Sequence, residues 1–177
     1  MEKKLQTPSQ TIGPFFAYGL TPEQYSYDFN SWFDGDISDA DAPEATCTLT
    51  GQVFDGEGNL VDDAMIEIWQ NDQQKQHFAR YGTGSNQDNR FFFRFNKPAS
   101  VDGAAPFLSV IVFMRGALLH LHTRIYFSDE AELNAKDEVL RSVPADRRAT
   151  LIAQKKGPVY TFDVHVQGVE ETVFFDV

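Results

Sequence analysis

From residue 46 onward the chain carries a period of two. Cys47, Leu49, Gly51 and Val53 alternate with Thr46, Thr48, Thr50 and Gln52, and the run is closed by Asp55-Gly-Glu-Gly58. That pattern is a strand with one face in a core, ended by a turn. Residues 64–70 predict a second strand, with Ile66 and Ile68 on one face and Glu67 and Trp69 on the other. Residues 91–95 predict a third. Residues 107–114 are apolar almost throughout, which predicts a central strand covered on both sides. Residues 118–127, 159–166 and 172–175 add three more. One helical stretch interrupts the strands: Asp129-Glu-Ala-Glu132 has the spacing of a helix start, and Leu133, Val139 and Leu140 fall on one face. Pro144 ends it and opens a short second helix through Leu151 and Ile152. The fold class is therefore mostly β, a β-sandwich with one or two short helices.

Residues 1–45 read differently. Thr7-Pro-Ser-Gln-Thr-Ile-Gly-Pro14 is punctuated by turn formers, and Phe15, Phe16, Tyr18, Tyr25, Tyr27, Phe29, Trp32 and Phe33 follow. So many aromatic rings in an irregular arm need a surface to cover them, on this domain or on another chain. The division is an arm at 1–45, contributing to an interface and a pocket, and a sandwich domain at 46–177. Residues 34–44 are acidic and read as an exposed connection.

Composition narrows the partners. With 15 Lys and Arg against 26 Asp and Glu the net charge is −11, which argues against nucleic acid or an anionic membrane surface. The 42% hydrophobic content is that of a globular domain. Cys47 is the single cysteine, which excludes an intramolecular disulfide framework and a cysteine-rich zinc site. No run of 18 apolar residues occurs and Met1-Glu-Lys-Lys lacks a signal peptide's apolar stretch, so a cytoplasmic setting is expected.

Candidate chemistry is sparse. His120 and His122 lie two apart, so on a strand both imidazoles share a face and could hold a metal with two further ligands. Arg124 follows on that face and opposes a cation, so a structural role stands beside the metal. His165 reads as a hydrogen-bonded surface or interface histidine, and His77 sits in a Gln- and Asn-rich loop. No Gly-x-Ser-x-Gly elbow and no phosphate-cradling glycine loop is present.

Several segments together resemble the intradiol ring-cleavage dioxygenases, and among them the metal-free α type of subunit. They are Thr7-Pro-Ser-Gln-Thr-Ile-Gly-Pro14, Gly51-Gln-Val-Phe-Asp-Gly56, Ile66-Glu-Ile-Trp-Gln70, Lys97-Pro98, Leu121-His-Thr-Arg-Ile-Tyr-Phe127, Asn134-Ala-Lys-Asp137, Thr150-Leu-Ile-Ala153 and Glu171-Thr-Val-Phe-Phe-Asp176. They occur in the family's order from Thr7 nearly to the last residue. The resemblance implies a holoenzyme with a non-haem ferric ion, held by two tyrosines and two histidines of a β-type subunit, that cleaves protocatechuate with O₂. Counting from neighbouring motifs, the ligand positions fall at His77, near Val101, and at Phe107 and Ser109, so no metal is expected on this chain. His120-Leu-His122 lies at a later strand, where the family's α subunits show Leu-His-Thr-Arg.

What the resemblance assigns here is a share of the β subunit's pocket. Thr11, Gly13 and Pro14 carry over from the α arm, and Arg115, in Phe113-Met-Arg-Gly116, aligns with an α-subunit arginine. A guanidinium suits a carboxylated catecholate through charge-assisted hydrogen bonds; a subunit salt bridge is the alternative for Arg115. The partners implied are a β subunit in a hetero-oligomer of αβ units, with protocatechuate and O₂ at the shared pocket. The rival is a metal-free β-sandwich scaffold or binding protein that has lost its catalytic partnership. A homo-oligomeric enzyme using His77, His120 and His122 is a third reading.

Overall fold

The computed structural model describes residues 15–71 and 76–177. A short helix α1 (Phe15–Leu20) and a 3-10 turn at Pro22–Tyr25 precede the strands β1 (Asp36–Ile37), β2 (Thr46–Gly51), β3 (Val53–Phe54), β4 (Met65–Asn71), β5 (Gln76–Gly82), β6 (Phe91–Asn96), β7 (Phe107–Phe113) and β8 (Leu121–Phe127). Helices α2 (Ala131–Asn134) and α3 (Glu138–Ser142) follow, then β9 (Ile152–Lys156), β10 (Val159–Thr161) and β11 (Val164–His165). Nine strands form one sheet in the order β1-β6-β2-β10-β9-β8-β7-β4-β5, and β11 pairs with β3 in a second, two-stranded piece.

The large sheet curls into a nearly closed sandwich. Its two halves join through the short parallel pair β8–β9, where Tyr126 meets Ile152 and Phe127 meets Ala153. At the opposite seam Asp34 and Gly35 bridge the halves: the Arg80 N–H donates to the Asp34 carbonyl at 2.9 Å and the Arg94 N–H to the Gly35 carbonyl at 2.7 Å. Gly35 suits that seam because a Cβ there would stand 2.5 Å from the Phe92 carbonyl oxygen. Between the halves Leu49, Ile68, Phe93, Phe95, Val110 and Phe127 are fully or almost fully buried. β6 shows how the pattern makes this core, with Phe91, Phe93 and Phe95 inside and Phe92 and Arg94 outside.

The joint at β8–β9 is reinforced electrostatically. Asp129, just past β8, accepts from Lys97 (3.0 Å), Lys155 (2.8 Å) and the Tyr160 hydroxyl (3.0 Å), and Lys97 also pairs with Glu130. Burial pushes the Asp129 carboxyl up, but the hydrogen bonds from Lys155, Lys97 and Tyr160 outweigh it and hold it well below the usual range. A smaller apolar cluster of Ala105, Tyr126, Leu140, Val143 and Leu151 packs the helices outside the sheet. Its polar centre is the buried Asp137, which accepts from Leu140 N–H (2.9 Å), Ala105 N–H (3.2 Å) and the Tyr126 hydroxyl (3.0 Å).

The pattern of alternation located the core strands, with informative differences. β5 occupies residues read as a loop, because its Gln-rich start and mixed faces hide the period. The run 46–53 breaks at Gln52 and the run 159–166 breaks between Thr161 and Val164, where Val53 and Val164 pair in the second sheet. Residues 118–120 are a bend rather than strand, and 172–175 form no ladder. The segment 172–175 is held instead by single bonds, Thr172 N–H to the His165 carbonyl and Phe175 N–H to the His122 carbonyl, both 2.8 Å. β7 is central in its ladder but fully buried on one face only, through Leu108, Val110 and Val112. The predicted helix is broken in two, and the cap is Asp137 rather than Asp129, whose carboxylate is taken by lysines. Residues 34–44 contribute β1, which pairs in parallel with β6.

Two outcomes follow. Asp137→Ala leaves three buried donors without an acceptor and is expected to cost about 2–4 kcal/mol, read as a lower urea midpoint at unchanged slope. Because the Asp129 carboxyl is depressed in the folded state, its contribution is complete above the ordinary aspartate value of 3.8 and is lost as pH falls through the native value. Asp129→Asn should therefore cost about 1 kcal/mol near neutral pH, the modest figure for partly solvated pairs, and nothing further in acid; thermal unfolding across pH measures both arms.

Candidate functional site

Thr11, Gly13 and Pro14 lie outside the described residues, so the geometry concerns Arg115, the histidines and the outer face of β8-β7-β4-β5. That face is built by register. β7 presents Phe107, Ser109, Ile111 and Phe113 outward, and their partners on β8 are Tyr126, Arg124 and His122, with His120 just beyond. On β4 the matching residues are Glu67 and Trp69, opposite Arg80 and Phe78 of β5.

Cations and rings dominate it. The Arg124 guanidinium lies 4.1 Å from the centre of the Phe107 ring, and Arg124 Nη1 reaches the Tyr126 hydroxyl at 3.4 Å. Burial pushes the Tyr126 phenol up to about 12, against a lowering by Arg124 and with a further raise from Asp137. Arg80 donates Nε and Nη2 to Glu67 Oε1 at 2.8 and 2.6 Å while lying over Phe33 and Phe78. Glu67 is buried, so this is an ion pair removed from water and enclosed by aromatic carbon.

The ferric ion that the resemblance implies does not fit these residues. At the two positions where the family's histidine pair would stand are Phe107 and Ser109, neither a ligand type, and Arg124 covers Phe107 with a permanent positive charge. His77 is on β5 opposite Gln70 rather than in a loop. His120 and His122 do meet, ring centres 4.7 Å apart, and His120 packs on Phe113. Burial and then the His120 charge lower the His122 pKa from 6.5. Among the described residues no group of three His, Cys, Asp or Glu side chains could hold a metal ion. His165 stacks on Phe54 at 4.9 Å.

Arg115 follows β7 and stands at a cavity of about 610 Å³ lined also by Asp62, Asp63, Met114, Leu118 and Leu119. Its Nε lies 2.7 Å from Asp63 Oδ2 as an ion pair, and its Nη2 stands 3.8 Å from Asp62 Oδ1. Burial raises the Asp63 carboxyl, Arg115 draws it back, and Asp62 adds to the rise. Asp62 and Asp63 escaped the sequence reading, since only the non-local β4–β7 pairing brings them to Arg115. Tyr25 is close as well: burial, then Tyr18, Asp63 and Asp62, push its phenol up to about 12.

No family model matches the chain. It is 48% identical over 192 residues to a protocatechuate 3,4-dioxygenase alpha chain of Burkholderia cepacia, covering 97% of this chain and 98% of that one. The chain belongs to the protocatechuate 3,4-dioxygenase alpha-chain family. The corresponding alpha chain of Pseudomonas putida is 38% identical, with 97% and 96% covered. Among solved structures, an intradiol ring-cleavage dioxygenase from Tetranychus urticae superposes with a TM-score of 0.59 at 12% identity, over 82% of this chain and 92% of that one. This likeness shows the intradiol dioxygenase fold, a mostly-strand sandwich with few short helices, and the alpha-chain relatives support a place as a subunit of a hetero-oligomeric dioxygenase.

The paired histidines give a direct check. His122 should titrate below 6.5, and His120→Ala should restore it only in part because burial is the larger cause; the Hε1 resonances followed by NMR from pH 8 to 5 measure both.

Proposed function

We propose that the chain is the α subunit of a protocatechuate 3,4-dioxygenase that holds no iron itself and works only with an iron-carrying, β-type chain. The observation that supports this best is the outer face of β7 and β8: Phe107 and Ser109 offer no ligand, and the Arg124 guanidinium lies over the Phe107 ring. A face built this way repels a cation, so the metal chemistry belongs to a partner. The family to which the chain belongs, seen in its two alpha-chain relatives, supports the same division.

In the assembled enzyme Thr11, Gly13, Pro14 and Arg115 would line the β subunit's pocket. Gly13 lets backbone approach the ligand closely and Pro14 fixes the turn. Arg115, mostly exposed, presents its guanidinium to the substrate carboxylate. The partner's iron, when bound, supplies the chemistry by which O₂ opens protocatechuate between its hydroxyls, giving 3-carboxy-cis,cis-muconate. This chain's residues bind and orient the substrate and carry the interface. Its outer aromatics are suited to the latter: Trp32 is 91% exposed, with Phe29 and Phe33 nearby on the same arm. The proposed setting is the cytoplasm, where the half-buried Cys47 stays reduced.

The test is metal content and visible absorbance of the chain purified alone and after co-expression with a β-type chain. Iron-free, colourless protein alone and a coloured, active complex on co-expression are expected. Stoichiometric iron and ring cleavage by the isolated chain would overturn the reading, and absence of any complex would favour a scaffold.

A further inference from the structure

Arg115 is held in place by its own chain. β4 and β7 pair antiparallel with Met65 opposite Phe113, and continuing that register by two residues sets Asp63 opposite Arg115. The two acids near the guanidinium are unequal. The Asp63 side chain is 14% exposed, while Asp62 and Arg115 are 64% and 63% exposed. Asp63 is thus the more buried member and Arg115 the long, exposed one.

The corner carrying Asp63 is fastened from several sides. The buried Thr83 hydroxyl donates to the Val61 carbonyl at 2.8 Å and accepts from the Ala64 N–H at 3.0 Å, while the Thr83 N–H donates to the Ala64 carbonyl at 2.7 Å. Gly84 has φ +84°, and a Cβ there would stand 1.9 Å from the Asp62 carbonyl oxygen, so the two backbones touch. From the arm, the Tyr25 hydroxyl donates to the Thr83 carbonyl at 2.6 Å, and Gln24 Oε1 accepts from the Gly82 N–H at 2.7 Å. The turn that follows α1 is therefore bonded to the corner that holds Asp63.

The placement of the two acids matters. Asp63 Oδ2 stands 2.7 Å from Nε and Asp62 Oδ1 3.8 Å from Nη2, so both acids sit on the Nε–Nη2 side of the guanidinium. The outer edge, Nη1 with Nη2, is left for a second planar anion. A guanidinium has five donors in a fixed fork, so anchoring one edge orients the other.

We propose that Asp63 is a positioning residue for Arg115: through the ion pair at Nε it keeps the free edge of the guanidinium toward the carboxylate of a carboxylated catechol in the shared pocket. This rests on the reading of Arg115 as a pocket residue. The test uses the complex co-expressed with the β-type chain and compares Asp63→Asn, Asp63→Glu and Arg115→Ala. Asp63→Asn should raise KM for protocatechuate by about 5- to 20-fold, the scale of one charge-assisted hydrogen bond, with kcat within about twofold. Inhibition by the carboxamide of protocatechuate, which has the shape without the charge, should not move. Asp63→Glu should recover part of the loss, and Asp63→Asn added to Arg115→Ala should do no further harm, since both act through one guanidinium. If Arg115→Ala raises KM and Asp63→Asn does not, the positioning role is wrong and the pocket reading stands. If Arg115→Ala itself leaves KM unchanged, the pocket reading falls and takes this inference with it. Equal weakening toward the acid and its amide after Asp63→Asn marks a structural role and overturns the proposal.

Discussion

Everything in this molecule hangs on a joint of two residue pairs. Among the described residues the strand ladder passes from one half of the sandwich to the other where Tyr126 meets Ile152 and Phe127 meets Ala153. Parallel pairing is slightly weaker per residue than antiparallel pairing, so a short parallel pair is a weak hinge by itself. Asp129, just past β8, strengthens it by gathering groups from the other half: Lys97 beyond β6, Lys155 on β9 and Tyr160 on β10. The lysine ammonium groups also lie over rings, Lys97 on Phe127 and Lys155 on Tyr160, so the same charges meet carboxylates and aromatic faces. With this seam shut and Asp34–Gly35 drawing the other together, β6 finds a core for its inward phenylalanines on one side and solvent on the other.

How much of this could be read beforehand depended on whether one residue type had to do one job. β6 alternates cleanly because it has a single buried face, and β4 was legible from Ile66 and Ile68 although Met65 and Glu67 on its other face are buried as well. β5 was not, since Gln76, His77 and Arg80 give no simple apolar face; Arg80 is covered by Phe78 of its own strand, by Glu67 and by Phe33, a residue far away in the chain. The helix start at Asp129 looked right by spacing, yet its carboxylate was needed by lysines at 97 and 155. The true cap, Asp137, also binds Tyr126 and the backbone of Ala105, which no local pattern announces. The segment 172–175 has strand-like composition, but its amides are spent on separate carbonyls.

The same split governs the functional reading. The family-bearing motifs run along the chain and were visible as a series. Arg115 was singled out, but Asp63, which holds it, was not, because that contact is written in the β4–β7 register. Likewise Arg124 was seen as an obstacle to metal on the His120–His122 face; the register shows it also shielding Phe107 and supporting Tyr126. A guanidinium stacked over an aromatic ring gives rigidity without a metal, and a face so arranged suits a subunit whose part is to complete a neighbour's pocket.

Trp32 and Trp69 are the chain's two tryptophans, and the first is almost fully exposed and the second about half. Neither indole lies in the core. The protein's intrinsic emission therefore starts at the red, solvated end while the sandwich is intact, and it reports on coverage of the outer surface rather than on folding. A partner that closes over the arm or over β4 would shift that emission toward the blue, so the chain carries its own optical gauge of assembly.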